Sequence, residues 1–310
     1  MPSTLSPSLP PSPCVGVCRL QPRSGLCLGC GRSGDEIAAW RDLGDDRRAE
    51  VWRLLPGRMA ELGAEFRLLP LAGAELADRL LVTARNPWSG FAIGVQGAIA
   101  EFTRFPRDRA VVGGDAGCLL IQSAQGALRL EIQPWIRVFG FGPEGGAPDE
   151  VVLAVHRARL ASPPARAITE LGPDERAIRE ADRGVLLFDL GLDRPTLRFC
   201  IRTADPELIG KLRAVTGQPL TAVADRLVPC LLEHHPQRVA ISPLGRIEVS
   251  QPIGIRDGAP GTPEGPHTHL LPELLATGLE LAPGRDLPPD YAPAASLFPG
   301  PGTAELWCQP

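Results

Sequence analysis

One lysine, Lys211, stands in a chain of 310 residues, so nearly every positive side chain is an arginine. With Ala, Gly and Pro abundant, this reads as the codon background of a GC-rich genome rather than as chemistry. No apolar run approaches the ~20 residues that cross a bilayer. The opening MPSTLSPSLPPSP has no basic start, apolar centre or small-residue cleavage site, so it does not read as a signal peptide. No membrane partner is expected, and the expected location is cytoplasmic. Gly113-Gly114-Asp115 is not followed by Gly-Lys-Ser/Thr and reads as a hairpin turn, not a phosphate loop. There is no Gly-x-Ser-x-Gly elbow for a serine nucleophile. A net charge of −4 and the lack of a basic, aromatic-interleaved patch argue against nucleic acid as a partner.

What is present begins with cysteine. Cys14, Cys18, Cys27 and Cys30, four of the chain's 8 cysteines, fall within seventeen residues as Cys-x3-Cys-x8-Cys-x2-Cys. In a reducing compartment such a cluster points to metal rather than to structural disulfides. Four converging thiolates suit Zn²⁺, held tetrahedrally with Zn–S near ~2.3 Å. They suit an iron–sulfur cluster equally well, and spacing does not separate the two. A thioredoxin-like redox pair at Cys27 and Cys30 is disfavoured, because no strand precedes the motif.

After the cluster, Ser33 and Glu36 make a capping box ahead of Ile37 and Trp40. Asp45 or Asp46 opens a second helix expected to end at Pro56. Trp40, Val51, Trp52 and Leu55 supply a tiny core that a metal would staple. Residues 57–68 read as a connector, followed by a helix over 72–84. The period then changes to two. Strands are expected at 91–95 and 98–105, at 117–122 and 127–133, and around 135–139 and 151–160. A helix is expected from Pro173 to Ala181, strands at 185–190 and 197–202 (the latter half-exposed), and helices over 205–215 and 221–233 with a break near Pro229. Strands at 238–242 and 246–251 surround Pro243-Leu244-Gly245, and a short helix covers 270–277.

The fold class is α+β with mostly antiparallel sheet. The expected domains are a disordered leader (1–12), a four-cysteine metal module (13–58), an α+β domain (66–280) with a subdivision near 140–150, and an irregular Pro-rich tail (281–310). The hairpins Phe91–Phe102 and Val239–Val249 resemble each other, a weak sign of internal duplication.

Residues 12–56 resemble a family of short bacterial four-cysteine proteins of unknown function, described as predicted iron–sulfur proteins. The matching positions are Ser12-Pro13-Cys14-x3-Cys18, Gly25-x-Cys27-x-Gly29-Cys30-x-Arg32, Asp35-Glu36-Ile37 and Trp40. The resemblance implies that the four cysteines are metal ligands. Gln21 stands where the family tends to have Asp, and Ser33 where it tends to have Thr. The remainder resembles an uncharacterised proteobacterial domain found behind that module, through stretches such as Gly97-Ala-Ile-Ala-Glu-Phe and Gly265-Pro-His-Thr-His-Leu-Leu-Pro.

A second constellation is His267-Thr268-His269, with Glu264 upstream and Glu273 beyond. On an extended segment both rings share one face. With a carboxylate they make a candidate catalytic metal site, set against the blander reading of a polar helix entry. The expected function is therefore a metal-binding protein, zinc or iron–sulfur, with a structural or docking role toward an unknown protein or small molecule. The alternatives are an enzyme in the large domain using His267, His269 and Glu264, and a thiol redox sensor.

Overall fold

The computed structural model describes residues 13, 19–28, 30–62, 65–104, 109–115, 117–143, 146–160, 164–253, 265–271, 275, 277–282 and 285–308. The expected leader, Cys14, Cys18, Glu264 and Glu273 lie outside them. The fold is α+β, as the alternating patterns indicate.

The first two helices are α1 (Gly34–Ala39) and α2 (Asp45–Glu61). The capping box forms as expected: Ser33 Oγ accepts from the N–H of Glu36, and the Glu36 carboxylate accepts from the N–H of Ser33. Trp40, Val51 and Leu55 pack together, with Leu43 and Trp52 against them. α2 does not stop at Pro56. It continues through that position, and Arg58 on its last turn is held by the Glu36 carboxylate and the Gly31 carbonyl. Those contacts offset the hydrogen bond that proline removes.

Strand β1 (Glu65–Leu69) and helix α3 (Gly73–Arg85) follow. Next come β2 (Gly90–Val95), β3 (Ala98–Phe102), β4 (Val111–Asp115), β5 (Cys118–Gln122), β6 (Gly126–Glu131), β7 (Arg137–Gly142) and β8 (Glu150–His156). The chain continues with β9 (Thr169–Pro173), β10 (Leu186–Asp189), β11 (Arg198–Thr203), α4 (Pro206–Val215), α5 (Leu220–His234), β12 (Gln237–Ser242) and β13 (Gly245–Val249). It ends with β14 (His267–Leu270) and β15 (Tyr291–Phe298).

These strands form two antiparallel sheets, ordered β1-β7-β8-β15-β2-β3-β14 and β4-β5-β6-β13-β12-β11-β10-β9. They pack face to face over one core, into which α3, α4 and α5 also insert apolar residues. The two similar hairpins, β2–β3 and β12–β13, meet across this core. Each is flanked by a strand that follows the other in sequence: β6 lies beside β13 and β14 beside β3. This reciprocity accords with the resemblance between the hairpins.

Several expectations are corrected. Tyr291–Phe298, read as part of an irregular tail, is strand β15 between β8 and β2. Its Pro293 is accommodated because the register with β8 shifts between Pro293 and Ala295. The tail then closes on α3, where the Trp307 indole N–H donates to Thr83 Oγ1 at 3.1 Å. Val111–Asp115 is an edge strand rather than a turn. The helix expected over 173–181 is absent. Asp174 spends its carboxylate on Arg202 and Arg246, and the Ile178 N–H goes to Glu248, so the segment lies across the outer face of the second sheet. That cover buries Cys200 and Arg202, so β11 is not half-exposed. α5 runs through Pro229 without a break. His267–Leu270 is a strand, where a helix entry was the competing reading.

Candidate functional site

The cysteine segment reaches the large domain through Arg19 and Leu28. Leu20 and Cys27 form one β-bridge and Leu26 and Ser33 another. Between them the chain makes a tight turn: Cys27 N–H donates to the Arg32 carbonyl at 2.7 Å and Gly31 N–H to the Cys27 carbonyl at 2.8 Å. Gly31 takes φ +74°, a left-handed conformation that glycine adopts without strain. Cys27 and Cys30 are both buried. A hydrogen bond with Cys27 holds the Cys30 thiol down to about 6, against burial and with help from the Arg32 guanidinium. Arg32 Nε donates to Cys30 Sγ at 3.4 Å and its guanidinium stacks on Trp40. A buried, thiolate-favouring pair on a tight turn is a donor set that fits a soft metal ion. Among the described residues, no group of three or more histidine, cysteine or acidic side chains is placed so that it could hold a metal ion.

The turn sits on the outer face of the first sheet. The Leu28 N–H donates to the Arg19 carbonyl at 2.7 Å. The Arg19 guanidinium lies 4.3 Å over the Phe298 ring. It crosses β2 at Gly90, where a Cβ would meet Arg19 Nη2 at 1.8 Å. Gln21 adds a 3.1 Å hydrogen bond to Asp149. Beneath lies a small chamber of ≈ 40 Å³ lined by Leu28, Gln96, Ile99, Glu150, Ser296 and Phe298. Glu150 pairs there with the buried Arg285 at 2.9 Å and accepts from Ser296 Oγ at 2.8 Å.

The same face holds the histidines. β14 pairs with β3 so that His267 stands opposite Glu101 and His269 opposite Ile99. Directly opposed side chains share a face, so Glu101, His267 and His269 come together as the His-x-His spacing requires. The two rings are 5.1 Å apart at 86°. His267 Nε2 lies 3.4 Å from Glu101 Oε2, and His267 Nδ1 is 2.9 Å from the Gly265 carbonyl. Arg19 Nη2 stands 3.8 Å from the same carboxylate. Burial pushes the Glu101 carboxyl up, against the pull of Arg19 and His269. Sequence reading missed Glu101. Its signal was present: an acid at an interior position of the otherwise apolar strand Ala98–Phe102.

A wider cleft of ≈ 700 Å³, lined by Arg157, Arg194, Glu280, Arg285 and Tyr291 among others, opens beyond the 280–282 stretch. Its size suits a small molecule.

The arrangement is thus that of a two-sheet α+β protein with a cysteine-bearing segment seated over a buried polar cluster. The chain belongs to a family of unknown function (DUF6925), whose model matches residues 75–307. Residues 12–59 match a second family, a protein of unknown function (DUF1289). Over 48 residues the chain is 44% identical to the uncharacterized protein YdhL of Escherichia coli K12, and equally to that of Shigella flexneri. This covers 16% of the chain and 60% of each relative's length. No solved structure matches.

Proposed function

We propose that Cys14, Cys18, Cys27 and Cys30 hold one zinc ion or one iron–sulfur cluster, and that the metal-stapled segment 13–58 serves as a docking module for the large domain 66–280. The observation that carries this reading is the buried Cys27–Cys30 pair on a tight turn whose neighbours Arg19 and Leu28 cover the outer sheet face. Zinc there is a closed, structural ion; an iron–sulfur cluster adds electron-transfer capacity. The module's own core is small, which is the condition under which a metal staple matters. The large domain then acts as a binding domain for a small molecule or a protein, and the ≈ 700 Å³ cleft is its candidate seat. No helix among the described residues is long and apolar enough to cross a membrane. Elemental analysis of protein purified under reducing, anaerobic conditions tests the reading. Near-stoichiometric zinc or iron supports it, and a metal-free protein rejects it.

A second reading makes the large domain an enzyme that uses His267 and His269. The favouring observation is the carboxylate of Glu101 on the same sheet face; Glu264, the acid first considered, is not described. The redox-sensor reading is the weakest, because buried thiols are poorly reached by oxidants.

A further inference from the structure

We infer that the outer face of the second sheet carries a binding site for a small organic oxyanion, a phosphate or carboxylate head on a compact apolar body, held by Arg129 and Arg198 over Ile241. The site is separate from the cysteines and from the cleft beside Arg285, and depends on neither reading above.

Strand register places it. Arg129 on β6 stands opposite Arg246 on β13, Arg246 opposite Ile241 on β12, and Ile241 opposite Arg198 on β11. Directly opposed residues share a face, and the residues that alternate with them, among them Leu128, Ile247, Ala240 and Phe199, fill the core. The row Arg129, Arg246, Ile241, Arg198 therefore lies on the outer face. It is three strand spacings wide, about 14 Å. Two arginine side chains leaning inward from its ends can meet over Ile241. A cleft of ≈ 420 Å³ opens above the row, walled by residues 173–176 of the covering segment and by the β12–β13 turn. Its volume suits a small ligand. Ile241 packs with Leu187 as an apolar floor.

Like charges directly opposed across a strand pair are destabilising, so three arginines in one row call for anions. The chain supplies them to Arg246 but not to the two outer members. Asp174 takes both Nη groups of Arg246, and Glu248 stands 2.8 Å from its Nε. Glu131 shares a face with Arg129 but pairs with Arg176 at 2.9 Å. Arg129 is left with one hydrogen bond, from Nη2 to the Arg176 carbonyl at 3.1 Å, and its buried Nε has no partner. Among the described residues, the Arg198 guanidinium has one ion pair, with Asp189 at 3.8 Å, which is beyond hydrogen-bond reach. Glu175, the remaining acid at the rim, is exposed to solvent and forms no ion pair among the described residues.

A guanidinium presents a planar fork of donors that matches the paired oxygens of a carboxylate or phosphate. Two such forks without a close anion, at either end of an apolar floor in a concave site, complement an oxyanion on a compact apolar body. Arg246 belongs to the buried ion cluster of the fold and has no part in binding.

The test is calorimetric titration of the full-length chain, in phosphate-free buffer at constant ionic strength, with phenyl phosphate and with benzoate. Each carries an oxyanion on an apolar ring, and the tighter of the two identifies the head group preferred. Benzyl alcohol is the neutral counterpart, and inorganic phosphate is the head alone. The expected result is saturable, one-to-one binding of at least one ring anion, weaker binding of inorganic phosphate and none of benzyl alcohol. Arg129→Gln and Arg198→Gln should each weaken binding about tenfold or more. Their unliganded melting midpoints should stay near the parent's, because neither side chain belongs to the buried ion cluster. Arg129→Lys and Arg198→Lys, which keep the charge but not the fork, should fall between, and they stand in for a glutamine variant that fails to fold. Arg194→Gln, in the other cleft, should bind as the parent does. The inference is overturned if neither ring anion binds with a Kd below about 10 mM. It is overturned too if both glutamine variants bind as the parent does, or if inorganic phosphate binds as tightly as phenyl phosphate, the outcome of an adventitious ion only. Binding lost in Arg194→Gln but kept in Arg129→Gln and Arg198→Gln would put the ligand in the other cleft and equally overturn it.

Discussion

The carbonyl of Arg19 accepts the backbone N–H of Leu28 at 2.7 Å, and both side chains then reach the outer face of the first sheet. One hydrogen bond thus links the Cys27–Cys30 turn to the residues that cover Glu101, Glu150 and the two histidines. If the turn loosens, Arg19 and Leu28 loosen with it. A metal at the cysteines would in this way stiffen the cover over strands β2, β3 and β15, which lie far away in sequence.

Gly90 offers a probe of that cover. An added Cβ at position 90 falls 1.8 Å from Arg19 Nη2. The obstacle is the end of a flexible side chain, so Gly90→Ala should displace Arg19 rather than break β2. We expect a loss of about 1–2 kcal/mol in denaturant unfolding and faster proteolytic cleavage between the module and β1. Unchanged stability together with unchanged cleavage would show that Arg19 does not anchor the module.

The module's own folding is probed at Ser33. Its hydroxyl satisfies the Glu36 N–H, while the Glu36 carboxylate serves both the Ser33 N–H and Arg58. Ser33→Ala should cost about 1 kcal/mol, read from the unfolding midpoint, and Ser33→Thr should restore most of it. A loss equally large in the threonine variant would count against the capping role.

On the second sheet, Arg202 is nearly inaccessible and pairs with Asp174, Asp182 and Glu248 at 2.8–3.0 Å. Removing it leaves Asp174 and Glu248 to share the single guanidinium of Arg246, so Arg202→Ala should destabilise by roughly 3–5 kcal/mol. The same cluster sets an acid limit. Burial pushes Asp174 up, but the hydrogen bonds and charge of Arg246 and Arg202 outweigh it, and its carboxyl is held below the usual range. A depressed folded-state value means that this stabilisation is complete above the unfolded value of ~3.9. It is lost as pH falls through the lower folded value. Unfolding midpoints measured from pH 7 to pH 3 should therefore drop steeply only below about pH 4. Asp174→Asn should flatten that drop.

How much of this was legible depends on what each residue answers to. Strands such as Phe91–Val95 declare themselves, because Phe91, Ile93 and Val95 fill the core between the sheets. The capping box and the small Trp40–Val51–Leu55 core are local and were readable for the same reason. Pro173-Asp174-Glu175 misled because its acid answers to Arg202 and Arg246, which stand far away in sequence. Tyr291–Phe298 hid behind Pro293, which only a register shift against β8 admits into a sheet. The His-x-His pair was visible as a motif, but its partner Glu101 comes from β3 through strand register. No local pattern announces such a pairing.

The central claim is that the cysteines hold a metal, and the absorption spectrum of anaerobically purified full-length protein, combined with its zinc and iron content, tests it most directly. The account predicts near-stoichiometric metal: either brown protein with iron or colourless protein with zinc. In both cases the metal is lost in a Cys27→Ser/Cys30→Ser variant. Protein that carries neither metal, or a serine variant that retains the parent's full metal content, would contradict it.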